Sequence, residues 1–348
     1  MENQKIHTEV CPRGALGMVR VLLRGAGQVM FQNNAWTGLL FLVGIFWGAC
    51  SSGSCLMAWG ALLGLAVSTL TGFLLRLPES EGAQGLWGFN GILVGCALPT
   101  FLGNTPAMWF ALVLCSALTT WVRTGFNNAM APWKVNSFTF PFVFCTWIFL
   151  LAARAMHGMP PIHMTAPALP AAIGAGAADM HLDLAAVAVS WLRGIAQVFL
   201  ADSWITGLVV LAGLAASNVW AALWAAIGSA VALLEARCLG VAPGAATQGL
   251  YCFSSVLTAI ALATVFYRPS VYSALWALLG ILTTVFVQAA MNVLLMPLGL
   301  AALTGPFCVT AWLFLLPLIR FECKARPDHS DWSVENKPHL ARRRRADE

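Results

Sequence analysis

Charge is what this sequence has least of: Lys, Arg, Asp and Glu together make up 9% of 348 residues, against 59% hydrophobic ones. Soluble domains carry about 25% charged residues because their exterior must face water, so a soluble enzyme is excluded and a membrane chain is expected. The scarcity is deeper in the body, because residues 320–348 alone hold eight of the 19 Lys and Arg and six of the 14 Asp and Glu. That tail ends in Arg342, Arg343, Arg344 and Arg345, which reads as a cytoplasmic anchor near anionic lipid. Nucleic-acid binding needs a basic surface patch instead, so no nucleic acid is expected as a partner.

Chemistry-bearing clusters are missing too. The ten cysteines form no CxxC pair, and no His stands at metal-site spacing from them, so no metal and no cofactor is expected; small buried hydrophobes are the better reading. The opening segment carries Glu2, Lys5, Glu9, Arg13, Arg20 and Arg24 without an early apolar stretch and cleavage site. It reads as an uncleaved cytoplasmic start rather than a signal peptide.

What remains is a series of apolar segments, around 36–49, 55–75, 87–103, 106–121 and 138–156, several approaching the roughly 20 residues that cross hydrocarbon. A Pro, Gly and small-residue connector follows at 158–182. A second series then occupies about 184–200, 204–216, 219–237, 250–267, 271–295 and 307–319. The segments predict a cytoplasmic N-terminal piece (1–23), a first membrane repeat (24–157), the connector (158–182), a second repeat (183–320) and a charged cytoplasmic tail (321–348).

The two series match residue by residue. RGAGQVMFQNNAWTGLLFLVG at 24–44 and RGIAQVFLADSWITGLVVLAG at 193–213 share nine of 21 positions without a gap. GLWGFNGILVG at 85–95 lies on GLYCFSSVLTA at 249–259, and TFPF at 139–142 on TGPF at 304–307, in the same order. An internal duplication follows, and an odd number of spans per copy would invert the second one. The expected fold is an all-α polytopic membrane protein of two inverted repeats, with about ten transmembrane helices plus two re-entrant half-helices.

Polar and bulky residues that recur in both copies mark a shared path. Gln28 and Gln197 are amides beside apolar runs and need hydrogen-bond partners at membrane depth, from a pore or from neighbouring helices. Phe89 and Leu93 share one helical face, as do Phe253 and Leu257, so each pair makes either a wall or ordinary core. Thr139 and Thr304 each precede an x-Pro-Phe sequence; the proline is expected to free a helix carbonyl, and the hydroxyls to add acceptors or satisfy their own backbone. Asn33 and Asp202 are expected to cap the segments that follow, and Glu79 and Glu81 read as mouth or loop residues. With no paired charges across the path, the ligand should be small and neutral.

With these motifs the chain resembles the urea transporter family, in particular its bacterial branch, over roughly residues 20–320. The resemblance implies a homotrimer in a bacterial inner membrane, both termini cytoplasmic, with one channel-like pore per protomer and membrane lipid around it. It assigns wall roles to Phe31, Leu200, Phe89, Phe253, Leu93 and Leu257, slot-lining amides to Gln28 and Gln197, and the centre of an acceptor ladder to Thr139 and Thr304. The implied activity is passive movement of urea, a flat neutral donor-rich solute, and not an enzymatic reaction. Three departures make the slots unequal: Cys252 opposite Gly88, Ser254 opposite Asn90 and Leu200 opposite Phe31. An ammonia, short-chain amide or water channel, or an ion-coupled secondary transporter, is the alternative; a membrane enzyme or an assembly protein would be a different class.

Overall fold

The computed structural model describes residues 14–170, 183–317 and 319. The basic tail, the first 13 residues and the end of the connector lie outside the described residues. Among the described residues there are fourteen α-helices and no strand. The first seven are α1 (Ala15–Gln28), α2 (Ala35–Ser51), α3 (Leu56–Leu74), α4 (Glu79–Ala83), α5 (Phe89–Phe101), α6 (Pro106–Met130) and α7 (Phe140–Ala153). The next seven are α8 (Leu184–Ala196), α9 (Trp204–Ser217), α10 (Val219–Cys238), α11 (Pro243–Thr247), α12 (Phe253–Ile260), α13 (Val271–Leu295) and α14 (Gly305–Leu315). Helix starts in the second series follow their counterparts at near-constant spacing: Ala15 to Leu184 is 169 residues, Leu56 to Val219 is 163 and Phe140 to Gly305 is 165.

The apolar exterior and helical content make this a multi-pass membrane protein. Four helical segments are long and apolar enough to cross a bilayer by themselves: Leu56–Leu74, Pro106–Trp133, Val219–Cys238 and Val271–Leu298. Leu184–Phe199 and Trp204–Ser217 form a pair bent by 71°. The remaining apolar helices, among them α5, α7 and α14, are shorter, at 10–17 residues.

Local capping sets the breaks. Asn34 accepts from the backbone N–H groups of Trp36 and Thr37 to start α2, and Ser203 accepts from Thr206 to start α9. The caps therefore sit one residue beyond Asn33 and Asp202. Asp202 instead pairs with Arg193 at 3.1 Å, because an ionised carboxylate beside a guanidinium gains more from the charge than from an amide N–H. The prolines expected to free a carbonyl do not do so: Pro141 and Pro306 lie in the first turns of α7 and α14, where the missing N–H has no intrahelical partner anyway. What faces the centre is thus a pair of helix N-termini.

Small residues let the helices close up. A side chain added at Gly64 on α3 would overlap the Gly91 carbonyl on α5, and one at Gly91 would overlap Ser68 and the Gly64 carbonyl. Gly60 likewise meets Gly95 and Pro99. Hence α5 runs antiparallel to α3 and returns its C-terminus to the end of α3 that carries a Cys50–Cys55 disulfide. That bond corrects the reading of every cysteine as a buried hydrophobe. The spacing of four intervening residues across the α2–α3 turn brings the two thiols together, while Cys96, Cys115, Cys145, Cys252 and Cys308 are buried and Cys238 is exposed. The described part of the connector packs at the same end: Gly103 N–H donates to the Pro160 carbonyl, and Leu102 and Pro161 form an isolated bridge.

Contacts between the two series are reciprocal. The Thr37 hydroxyl donates to the Gly213 carbonyl at 2.7 Å, and its counterpart Thr206 donates to the Gly44 carbonyl at 2.8 Å. The Trp147 indole donates to the Ala301 carbonyl at 2.9 Å, and the Trp312 indole to the Asn136 carbonyl at 3.0 Å. In each pair, donor and acceptor exchange places at a spacing of 165 or 169 residues.

Candidate permeation site

The centre of the molecule is a direct contact between Thr139 and Thr304, whose hydroxyl oxygens lie 2.7 Å apart. Both side chains are buried, and the Thr139 hydroxyl also lies 3.3 Å from the Cys308 sulfur. They occupy the residues just before α7 and α14, without capping their own helices through the side chain. Each hydroxyl has one proton and two lone pairs, so a mutual bond leaves acceptor capacity on the pair.

On either side of this pair the backbone makes the same unusual turns. Phe31 has φ 64° and its counterpart Leu200 has φ 56°; Phe138 has φ 53° and its counterpart Leu303 has φ 51°. Left-handed backbone is strained for bulky residues and is kept where the surroundings over-determine it. Leu200 and Leu303 line a cavity together with Thr304, while Phe31 and Phe138 pack against other rings. Gly85 and Gly249, at φ 80° and 71°, turn the chain ahead of α5 and α12 and approach the backbone of Gly25 and Gly194 so closely that no side chain fits.

The two amides are placed alike. Gln28 donates from Nε2 to the Gln84 carbonyl at 3.0 Å, and Gln197 to the Gln248 carbonyl at 3.1 Å. Each bond ties the end of the first helix in its series to the turn before the wall residues, leaving the amide oxygen as the accepting end. Phe89 and Phe253 open α5 and α12, with Leu93 and Leu257 one turn further in and fully buried.

The surroundings of the two walls differ. Gln197, Leu200, Phe253 and Thr304 line one cavity of about 430 Å³, which also touches Leu303, Phe101, Phe142 and the connector residues His163 to Ala166. Leu257 is not on its surface. At the corresponding first-half positions Phe31 and Phe138 pack edge to face against Phe266 and Phe307 of the second series, with ring centroids 5.4 to 6.1 Å apart, and all four are buried. The structure thus brings Gln197, Leu200, Phe253 and Thr304 to one open space, and Thr139 to Thr304. It sets Phe31 in the aromatic group and leaves Leu93 and Leu257 as deeper backing.

Sequence reasoning missed several residues here. Arg123 on α6 is buried at 4% exposure, bonds Glu81 at 2.8 Å and lies 5.8 Å from the Phe89 ring centroid. Glu81 is therefore the partner of a buried cation behind a wall residue, more than a mouth or loop residue. In the second half Gln288 accepts from Ser254 at 3.3 Å and donates to Asn292 at 2.9 Å; Asn292 in turn donates to the Tyr251 hydroxyl at 3.3 Å. Gln288 and Asn292 both line the cavity. Extending the 165-residue spacing pairs Arg123 with Gln288, and that recurring polar position was the available signal. Among the described residues no three His, Cys, Asp or Glu side chains gather at one place that would hold a metal.

Comparison with known proteins gives this geometry its family. Urea transporter 1 of Ovis aries is 29% identical over 311 residues, covering 87% of this chain and 77% of the relative, and that of Capra hircus matches to the same extent. Urea transporter 1 of Rattus norvegicus is 28% identical over 303 residues, covering 85% of this chain and 76% of the relative. A model of the urea transporter family matches residues 19–319, from within α1 to beyond the end of α14, and the chain therefore belongs to the urea transporter family, whose members are transporters and not enzymes.

Proposed function

We propose that the protein moves urea passively through a path between two inverted repeats, residues 24–157 and 183–320. The observation that carries this reading is the Thr139–Thr304 contact at 2.7 Å, set between two helix N-termini and flanked by matched wall residues from both halves. Helix N-termini carry partial positive charge, which disfavours cations and favours a carbonyl oxygen. The hydroxyl and amide oxygens accept from N–H groups, so a flat neutral solute with a carbonyl and four N–H donors exchanges its water for both sets of contacts. Gln28, Phe31, Phe89, Leu93 and Thr139 form one slot; Gln197, Leu200, Phe253, Leu257 and Thr304 form the other. The reciprocal bonds of Thr37 with Gly213 and Thr206 with Gly44 support the inverted arrangement, with about ten spans and two re-entrant segments.

The same reading sets orientation. Disulfides persist in oxidising compartments, so the face bearing Cys50–Cys55 and the connector is periplasmic, and an inverted second half returns the C-terminus to the cytoplasmic face with the N-terminus. The basic tail agrees with that side, and the resemblance to the bacterial branch supports an inner membrane and a homotrimer. Purified protein in liposomes should give rapid urea entry with no sodium or proton gradient. Thr139→Val and Thr304→Val should each lower that flux about tenfold or more while the protein still assembles, since each removes one accepting hydroxyl from the paired site. Wild-type flux in both assembled variants, or strict dependence on a gradient, would overturn the proposal. Mass in a mild detergent tests the trimer.

A further inference from the structure

Behind equivalent walls the two halves carry different chemistry. Phe89 has Arg123 against its ring, and Arg123 is bound by Glu81. At the matched positions stand Phe253, Gln288 and Ala245, a ring, a neutral amide and no carboxylate, with Phe253 and Gln288 lining the same cavity. A guanidinium buried on a helix long enough to span the membrane is costly, and such residues mark solute paths more often than packing. A brace required by the skeleton would be required twice, yet the second half builds the same skeleton with Gln288. The charge therefore serves something that only the first slot does.

We propose that Arg123, held in place by Glu81, is a specificity-determining positioning residue that makes the first slot reject planar cations. The inference rests on Phe89 being a wall of the urea path. An aromatic face attracts cations, and guanidinium has the flat shape and N–H donors of urea with a positive charge added. A fixed guanidinium against Phe89 already occupies the quadrupole of that ring and adds like-charge repulsion at short range in a poorly solvated site. Urea, being neutral, meets the ring without that repulsion. Glu81 keeps the arginine oriented and lowers the cost of its burial; its side chain is 34% exposed, against 4% for Arg123. The second slot, backed by Gln288, lacks the repulsive element, so discrimination between the two isosteres is built into one side of the path.

The test is the ratio of guanidinium to urea permeability in proteoliposomes containing the full chain, measured with guanidinium chloride against a sodium chloride control. Arg123→Gln, which installs the residue of the other half, should raise the ratio about tenfold. Arg123→Lys keeps the charge and should hold the ratio near the wild-type value. Glu81→Gln removes the carboxylate that orients the cation and should raise the ratio by less than Arg123→Gln does. The proposal is overturned if assembled Arg123→Gln excludes guanidinium as well as wild type does, or if Arg123→Lys leaks as much as Arg123→Gln. Absence of urea flux in the wild-type protein would instead overturn the reading of the path itself.

Discussion

Where the first half sets Phe31 and Phe138 at its left-handed turns, the second sets Leu200 and Leu303, and the backbone is the same to within about 10° of φ. The Phe pair meets Phe266 and Phe307 edge to face; the Leu pair borders a cavity of about 430 Å³ that Phe101 and Phe142 also line. The two series share the turns, the caps and the reciprocal bonds, while the side chains filling the space between them differ. Backbone geometry thus sets where a wall can be, and side-chain volume and charge decide how tight and how selective each wall is.

The strongest way to break this comparison is at the helix crossings, where the two halves are not equally close. A Cβ at Gly64 would overlap the Gly91 carbonyl, whereas one at its counterpart Gly228 lies 2.9 Å from the Ala259 Cβ and the Ser255 carbonyl oxygen. Gly64→Ala should destabilise the protein by about 3 kcal/mol and Gly228→Ala by about 1 kcal/mol, read as the difference in thermal midpoint in detergent. Equal effects would mean that the first half relaxes as easily as the second. A smaller effect is expected at the walls. Leu200→Phe with Leu303→Phe gives the second half the first half's side chains, and should reduce acetamide flux about tenfold while reducing urea flux less. Such a result sharpens the view that the leucines set the width of that slot; unchanged amide discrimination would remove them from it.

Much of this was legible in the sequence because the duplication printed it twice. Gln28 with Gln197 and Thr139 with Thr304 stood out through recurrence, and both pairs occupy matching places. What was not legible depends on geometry that spacing does not encode. Asn33 and Asn34 are equally good cap residues by type, and only the turn at Phe31 decides that Asn34 enters the helix. Pro141 and Pro306 read as helix breakers, yet they begin α7 and α14, because the helix start lies at Thr139 and Thr304 and not before. Arg123 lies 42 residues from Glu81, too far for any local pattern to join them. Cys50 and Cys55 resemble any other pair in an apolar chain until the α2–α3 turn folds one onto the other.

The smallest expected effect concerns that turn. Cys50→Ser removes a five-residue closure, and short loops gain little from a cross-link, so urea flux should stay near wild type and stability should fall by about 2 kcal/mol or less. A thiol-reactive, membrane-impermeant label added from the periplasmic side should then reach Cys55. Labelling only from the opposite side would reverse the proposed orientation.

Thr37, Trp147, Thr206 and Trp312 each donate a hydrogen bond to a carbonyl contributed by the other half. During synthesis, the leading half must therefore wait in the bilayer with its donors facing lipid or stray water until the trailing half arrives. The Thr139–Thr304 contact likewise draws one residue from each series, so it comes into being only once both have been made.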